Sequence, residues 1–323
     1  MVTAGSRAVI AECLQVVACI GFLAYFRPQE FGRITISVLG FATLALILYT
    51  QIALFKEGLQ FLSLRFEEAA NVEGTPIEDM VKTAKRLAED GFSTMPHFPA
   101  RIIRDKPTLN DWISRYQGEA GVAQALILAG GISKPHGEYE SSMDLLETGL
   151  FDRANFKNIH IAGHPEGNKD IDPDGSSKNV DAALKWKQSY KDKTDAKMAI
   201  ATQFSFESGP IIKWANSIKN AGIDIPIHIG IAGPAKLQTL IRFAIACGVG
   251  PSLKVLQKRA TDVTKLLLPY EPTEVLSQLA DHKANNSDFN ISGVHFFPLG
   301  GIKTNAKWVT ENGGTSGIPV NKI

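Results

Sequence analysis

Hydrophobic positions from about residue 69 onward follow two alternating periodicities. Short, nearly continuous apolar runs that end in Gly, Pro, His or Asn are typical of buried strands, and they alternate with charged stretches whose apolar residues recur at helical spacing. The pattern predicts six strands, within the runs FSTMPHFPAR, AQALILAGG, NIHIAGHPEG, AKMAIATQFSF, IPIHIGIAG and ISGVHFFPLGG.

Helices are predicted between these strands. The first is the best defined, because the apolar side chains from Ile77 to Leu87 in TPIEDMVKTAKRLAEDG lie on one helical face. Thr75 is its predicted N-cap, Pro76 its first residue and Gly91 its stop. The others are predicted in TLNDWISRYQGEAG, SSMDLLETGLF, VDAALKWKQSYKDK and GPIIKWANSIKNAG, in the region 235–282 and near residues 302–311.

Strand–helix alternation of this kind requires parallel strands that are buried on both faces. A doubly wound open sheet and a closed (β/α)8 TIM barrel both satisfy it. No GxGxxG follows an early strand, whereas polar or unusual residues end every strand run, as in a barrel that gathers its strand ends around one mouth. We therefore predict a TIM barrel over residues 69–323. Only SLRFEEAANVEG offers strand material shortly before residue 75, so the first barrel unit is predicted to be incomplete or altered.

The N-terminal segment, residues 1–68, has a different character. Residues 8–26 carry one charge, Glu12, and residues 34–55 carry none. At about 1.5 Å rise per residue, the second run would cross a hydrocarbon core of about 30 Å, and the first nearly would. The hydropathy favours a transmembrane helical hairpin that associates the protein with a membrane through residues 8–55. The alternative is an aberrant N-terminus; a signal peptide is disfavoured because the run lacks a small-residue cleavage pattern.

Composition narrows the class of protein. The chain has 323 residues, 44% of them hydrophobic, and a formal net charge of +1 without a block of basic residues, so no nucleic-acid partner is expected. Its three cysteines, Cys13, Cys19 and Cys247, form neither a disulfide framework nor a metal motif. We expect a cytoplasmic homo-oligomer, anchored through its N-terminus if the hairpin spans a membrane.

Histidines near several strand ends raise the question of metal catalysis. His160 and His164 lie four positions apart on a predicted strand, which places them about 13 Å apart, too far to share an ion. No HxH or HExxH occurs, and no metal site is predicted. His228 and His295 lie inside apolar runs and are predicted to be satisfied interior residues. Nucleophilic catalysis is also disfavoured, because there is no GxSxG and Cys247 lies on a predicted helix.

What remains is a mouth lined by amide, imidazole and glycine. Such a surface suits a large planar heterocycle whose polar tail needs backbone donors, which points to a flavin or a pterin. The residues that end the predicted strands are His97, Gly130–Gly131, His164–Pro165–Glu166, Gln203, Gly230–Gly233 and Gly300–Gly301.

The ordered motifs MPHFPA, LILAGG, GEYESSMDLL, IAGHPEG, ATQFSFE, IPIHIGIAG and LQTLIRFA resemble the methylenetetrahydrofolate reductase family over about residues 70–310. The strongest markers are the PE after one strand and the TQF after the next. The resemblance implies a (β/α)8 barrel that holds FAD, takes hydride from NAD(P)H and reduces 5,10-methylenetetrahydrofolate to 5-methyltetrahydrofolate.

The resemblance also implies roles for single residues. His97 matches a histidine near the flavin, Gln203 matches the glutamine that hydrogen-bonds the pterin, and Lys187 matches a basic helix residue near the flavin phosphate or ribose, although a solvated helix face is the alternative for Lys187. Phe204 and Phe206 either shape the substrate slot or close the barrel core. The full set for the cofactor is His97, Gly130, Gly131, Tyr139, Ser141, His164, Glu166 and Lys187, and the set for the substrate is Gln203, Phe204, Phe206 and Leu237.

Several family positions differ in this chain. Gly131 stands where the family has an aspartate, Leu237 replaces a phenylalanine, and no arginine follows the last strand. The glutamate that should end the first strand is missing, so the general acid is unassigned; Glu73 and Glu166 are candidate substitutes, and a replaced first unit is the other explanation. Two rival functions stay open: a non-catalytic or membrane-tethered folate-binding protein, and a folate-dependent methyl-transfer barrel.

Overall fold

The structure, a computed structural model, describes residues 75–246 and 269–312. The predicted membrane hairpin, the domain boundary near residue 69, Glu73 and all three cysteines lie outside these residues. Within them, no helix combines the length and the apolar character that crossing a bilayer requires. The elements are α1 Ile77–Glu89, β1 His97–Pro99, α2 Lys106–Ala120, β2 Gln124–Leu128, α3 Ser142–Glu147, α4 Leu150–Arg153, β3 Asn158–Gly163, α5 Lys178–Lys191, β4 Lys197–Ser205, α6 Ser208–Asn220, β5 Ile227–Ala232, α7 Leu237–Ala246, α8 Thr273–Asn285, β6 Ile291–Phe297 and α9 Ile302–Glu311, with a 3-10 turn at Ala100–Ile102.

The six predicted strands are confirmed and form one parallel sheet. Their spatial order is their chain order, β1 to β6, and every neighbouring pair is parallel. A doubly wound sheet reverses its strand order at a switch point, which this sheet does not do. The described chain is therefore an α/β fold with a six-stranded parallel sheet flanked by helices.

Side chains alternate between the two faces of the sheet. Along β3, every second residue is buried, beginning with Ile159. One row of paired residues, Phe98, Ile127, Ile161 and Ile200, is fully buried and belongs to the main hydrophobic core with the helices. We call this the helix-covered face. The adjacent row contains His97, Leu126, His160 and Ala199 and faces the other way. We call this second side the histidine face.

Aromatic rings tie the first helices to the sheet. The ring of Phe98 meets Tyr116 of α2 and Phe151 of α4 edge to face, with ring centroids 5.4 and 5.1 Å apart. Phe156 completes the cluster against Phe98 and Phe151. Such pairs contribute beyond the area that they bury, so this cluster anchors the β1 end of the sheet.

Two predicted helix boundaries are wrong in detail. Thr75 does not cap α1: the helix begins at Ile77, and Pro76, with extended backbone, occupies the N-cap without any side-chain hydrogen bond. The helix predicted in residues 141–151 is two short helices, because Gly149 adopts a left-handed conformation, φ 65°, that ends one and starts the other. The predicted last helix, near 302–311, is confirmed as α9.

Candidate functional site

The candidate site lies at the carboxyl ends of β2 to β5. Because these strands are parallel and adjacent, the residues that follow them meet at one edge of the sheet. Gly130 and Gly131 follow β2, His164 and Glu166 follow β3, and Gln203 lies near the end of β4. We call this edge the strand-end rim.

His97 does not lie at this rim. It begins β1 instead of ending it, in register with Leu126 and with His160 beyond. The sequence prediction placed it at a strand end because β1 was expected to start earlier, whereas only His97–Pro99 pair with β2. Solvent reaches the ring on the histidine face, yet the protein around it lowers the pKa of His97 through desolvation.

Four histidines share the histidine face. The rings of His160 and His228 meet edge to face with centroids 4.7 Å apart. Burial, with smaller contributions from the charges of His228 and His295, lowers the pKa of His160 to about 4. Burial also lowers the pKa of His295. The charges of His228 and His97 lower this pKa too, whereas backbone hydrogen bonds to Thr202 and His228 raise it.

His295 departs from the prediction of a satisfied interior histidine. Its Nδ1 is buried and has no hydrogen-bond partner among the residues that the structure describes. The sequence carried a signal for this cluster, since alternation places His160, His228 and His295 on one face of their strands. Only the register shows that they are staggered by two residues from one strand to the next along that face. The described ranges contain no group of three or more His, Cys, Asp or Glu arranged to hold a metal ion.

The loop after β2 is fixed by one arginine. Arg101 donates from Nε to the carbonyl of Glu140 at 3.1 Å and from Nη1 to the carbonyl of Ile132 at 2.9 Å. Gly130 has a φ of 96°, and a Cβ there would lie 3.1 Å from the Cβ of Pro99, whereas a Cβ at Gly131 would meet nothing within 4 Å. The rim therefore has no space for a side chain at Gly130, whereas it has open space beside Gly131.

Tyr139 and Ser141 have structural contacts in this loop. The Ser141 hydroxyl accepts from the Asp144 backbone N–H, and the Asp144 carboxylate accepts from the N–H of Ser141 and Glu140, which completes a capping box on α3. Tyr139 is buried, and desolvation raises the pKa of its hydroxyl, with a further contribution from Glu138. Both residues hold the loop that borders Gly131.

Lys187 is buried, so the solvated alternative is wrong. The side chain belongs to α5 and is 5% exposed, and burial lowers the pKa of its ammonium to about 8. No carboxylate among the described residues contributes to this shift. Burial and, to a smaller extent, the charge of Lys187 together lower the pKa of His164 to about 4. Fully buried lysines are rare unless they are paired, which makes Lys187 a candidate anion-binding residue.

The N-terminus of α5 is held by a buried carboxylate that sequence reasoning missed. Asp172 accepts from the backbone N–H of Asn179 at 2.9 Å and of Val180 at 3.1 Å, which satisfies free donors of the first helical turn. Its signal in the sequence was an aspartate shortly before a predicted helix. The contact fixes α5, and with it Lys187, relative to the loop after β3.

Glu166 joins two strand ends. Its Oε1 accepts from the Ser205 hydroxyl at 2.9 Å, which links the loop after β3 to the last residue of β4. His164 precedes it in a turn closed by the Gly167 N–H, which donates to the His164 carbonyl. Glu166 therefore orders the rim next to His164.

A bulge in β4 separates Gln203 from the regular ladder. Ala201 pairs with His228 and Phe204 pairs with Gly230, so β4 has one residue more than β5 across this step. Gln203 is half-buried, and its side-chain amide makes no hydrogen bond to any residue in the described ranges. An amide both donates and accepts, so Gln203 is free to bind a ligand with a mixed polar edge.

A second buried apolar cluster contains Phe204, Phe206 and Leu237. They are 2, 7 and 3% exposed. Phe204 meets Phe206 and Phe297 edge to face, with centroids 5.6 and 5.3 Å apart. In this structure the rings close the core beside the rim, which is the second of the two predicted roles.

The strand-end rim contains Gly131, His164, Glu166 and Gln203. Lys187 is buried close enough to His164 to lower its pKa. The structure leaves His97 on the histidine face and the two phenylalanines in the core. Such a rim can hold a polar heterocycle and an anionic tail. No protein-family model matches the chain.

Proposed function

We propose that this chain is a flavin-dependent reductase of 5,10-methylenetetrahydrofolate, resembling the methylenetetrahydrofolate reductase family. The full fold is then a (β/α)8 barrel with FAD at the strand-end rim and NAD(P)H as hydride source. The observation that carries the proposal is the order of the rim motifs on consecutive parallel strands: AGG follows β2, HPEG follows β3 and TQF lies near the end of β4, in the order expected of that family.

The residues present fit a flavin nucleotide in two respects. Lys187 is a buried cation whose pKa receives no contribution from a carboxylate of the described ranges, which suits a phosphate. At Gly131, an added Cβ would meet nothing within 4 Å, so the backbone there leaves open space for a ligand. When bound, FAD supplies hydride transfer, while the protein provides binding and orientation.

The chain's own side chains would position the two ligands. His164 has a pKa of about 4, so at neutral pH it is an uncharged imidazole that donates from one nitrogen and accepts at the other. Gln203 offers an amide that hydrogen-bonds the pterin from both ends. Gly131 offers space but no charge, so flavin electronics and substrate protonation must depend on other groups.

Absorption spectroscopy and titration test the proposal. The purified full chain should show the visible flavin band, or acquire it on titration with FAD, and should oxidise NAD(P)H with menadione as electron acceptor. The variant Lys187→Met should lose FAD affinity, while the matched surface variant Lys185→Met on α5 should keep it. A wild-type chain that neither carries nor takes up flavin contradicts the proposal.

One observation favours a second candidate, a non-catalytic folate-binding protein. Gly131 leaves open space where the family has a carboxylate. Calorimetric titration with tetrahydrofolate, performed beside the menadione assay, separates the two, because a binding protein takes up folate without transferring hydride.

A further inference from the structure

The bulge in β4 is held by a side chain to which the resemblance assigns no role. Thr202 is 3% exposed. Its hydroxyl donates to the carbonyl of Gln203 at 2.8 Å and accepts from the backbone N–H of Gly230 at 2.8 Å. The hydroxyl therefore takes the place of a ladder hydrogen bond where β4 and β5 fall out of register.

The surroundings leave this arrangement little freedom. A Cβ at Gly230 would lie 2.5 Å from the Thr202 carbonyl oxygen and 2.7 Å from that of Gln203, so only glycine lets the bulge approach β5 so closely. On the opposite side, a Cβ at Gly163 of β3 would lie 3.3 Å from the Thr202 methyl group. Thr202 is thus fixed by its hydroxyl towards β5 and by its methyl towards β3.

We propose that Thr202 is a positioning residue that fixes the backbone from which Gln203 presents its amide to the pterin. This inference rests on the proposed function. Without the hydroxyl, the Gly230 N–H is a buried donor without its partner, and the carbonyl of Gln203 loses the bond that sets the peptide plane on its own C-terminal side. The Gln203 side chain then samples several orientations, and the entropy lost when folate orders it weakens the binding of folate.

Two variants separate the hydroxyl from the methyl group. Thr202→Val keeps the shape and removes the hydroxyl, whereas Thr202→Ser keeps the hydroxyl and removes the methyl that faces Gly163. We expect T202V to weaken tetrahydrofolate binding on the order of tenfold, approaching the effect of Gln203→Ala, with flavin content unchanged. T202S should retain wild-type affinity. If T202V does not fold, Thr202→Cys, which offers only a weak acceptor, replaces it with the same expectation.

Amide hydrogen exchange at Gly230 supplies a readout that does not depend on activity. T202V should speed exchange at this amide, and T202S should leave it slow. Faster exchange combined with unchanged folate affinity would overturn the positioning role, because Thr202 would then only stabilise the sheet. Wild-type affinity and slow exchange in T202V would overturn it as well. A wild-type chain that binds no tetrahydrofolate would instead overturn the proposed function, and this inference with it.

Discussion

His160 and His228, from strands that are not neighbours in the sheet, meet edge to face across β4 with ring centroids 4.7 Å apart. The residue of β4 in register with His160 is Ala199, and the one in register with His228 is Ala201. Two small side chains on the intervening strand therefore make room for the ring contact. Within the part of the chain that the structure describes, no carboxylate contributes to the pKa of either imidazole.

This contact predicts loss of stability in mild acid. The native pKa of His160 is about 4 against 6.5 for the free side chain, so the unfolded state binds more protons between these values. The free energy of unfolding should be unaffected by this residue above about pH 6.5 and should fall as the pH drops towards 4, by about 1–3 kcal/mol. Denaturant titrations at several pH values measure it.

The double variant His160→Gln/His228→Gln should flatten this acid-side slope. His282→Gln is the control, because His282 lies on α8 beside Phe289, outside the histidine face. Equal slopes in the wild type and the double variant would contradict the assignment.

Lys187→Met should stabilise the ligand-free protein. The native pKa of Lys187 is about 8 against 10.5 for a free lysine, which corresponds to about 3 kcal/mol at most against the charged form. This cost is fully present below pH 8 and disappears as the pH rises towards 10.5, so the gain in K187M should be largest at neutral pH. Thermal unfolding at pH 7 and pH 10 tests the sign. An equal or lower melting temperature for K187M at pH 7 would show that the amine has a stabilising partner.

Gly131→Asp should be tolerated, and Gly130→Asp should not. The Cβ at Gly131 meets open space, while Gly130 has a φ of 96° and a Cβ position 3.1 Å from Pro99, so we expect G130D to cost about 1–3 kcal/mol. Chemical unfolding of both variants gives this comparison.

Gly131→Asp also tests whether a carboxylate at this position promotes folate reduction. If the proposed function holds, a carboxylate at position 131 should raise the rate of folate reduction by about tenfold or more. Gly131→Asn, equal in size and uncharged, should not. A rate for G131D no higher than that for G131N would mean that the missing charge does not limit this enzyme.

Phe98→Ala should destabilise the protein by about 3–5 kcal/mol, because the fully buried ring is the common partner of Tyr116, Phe151 and Phe156. Phe92→Ala, which truncates a ring that is 42% exposed, should change the free energy of unfolding by less than about 0.5 kcal/mol. Urea unfolding of both variants measures the difference. A similar loss for the two would contradict the assignment of Phe98 to the core.

Local pattern was sufficient for the strands and for most helices of the described chain. Nearly continuous apolar runs located β2 to β6, and glycine marked the ends of all of them except β4, since a strand buried by helices has few other compositions available. The prediction of one helix over residues 141–151 failed at Gly149, because this single left-handed residue divides a segment whose apolar spacing is continuous. The start of α1 was predicted one residue too early, because proline occurs both at the N-cap and in the first turn of a helix, and Pro76 is the N-cap.

The site was less predictable, because its properties arise from register and burial. Nothing in the sequence near Lys187 distinguishes a buried ammonium from a solvated one; α5 has other lysines on its exposed side. The Thr202 bridge depends on a bulge, and the contact of His160 with His228 depends on the offset between three strands. Such offsets are set by the whole sheet and leave no local signature.

The agreement between chain order and spatial order has a consequence for biosynthesis. Among the six described strands, each one from β2 onward leaves the ribosome after its earlier neighbour in the sheet, so this part of the sheet can grow strand by strand without waiting for a distant segment. Translational pauses between units would then favour correct assembly, and release of β6 would complete the hydrogen-bonded ladder of β5.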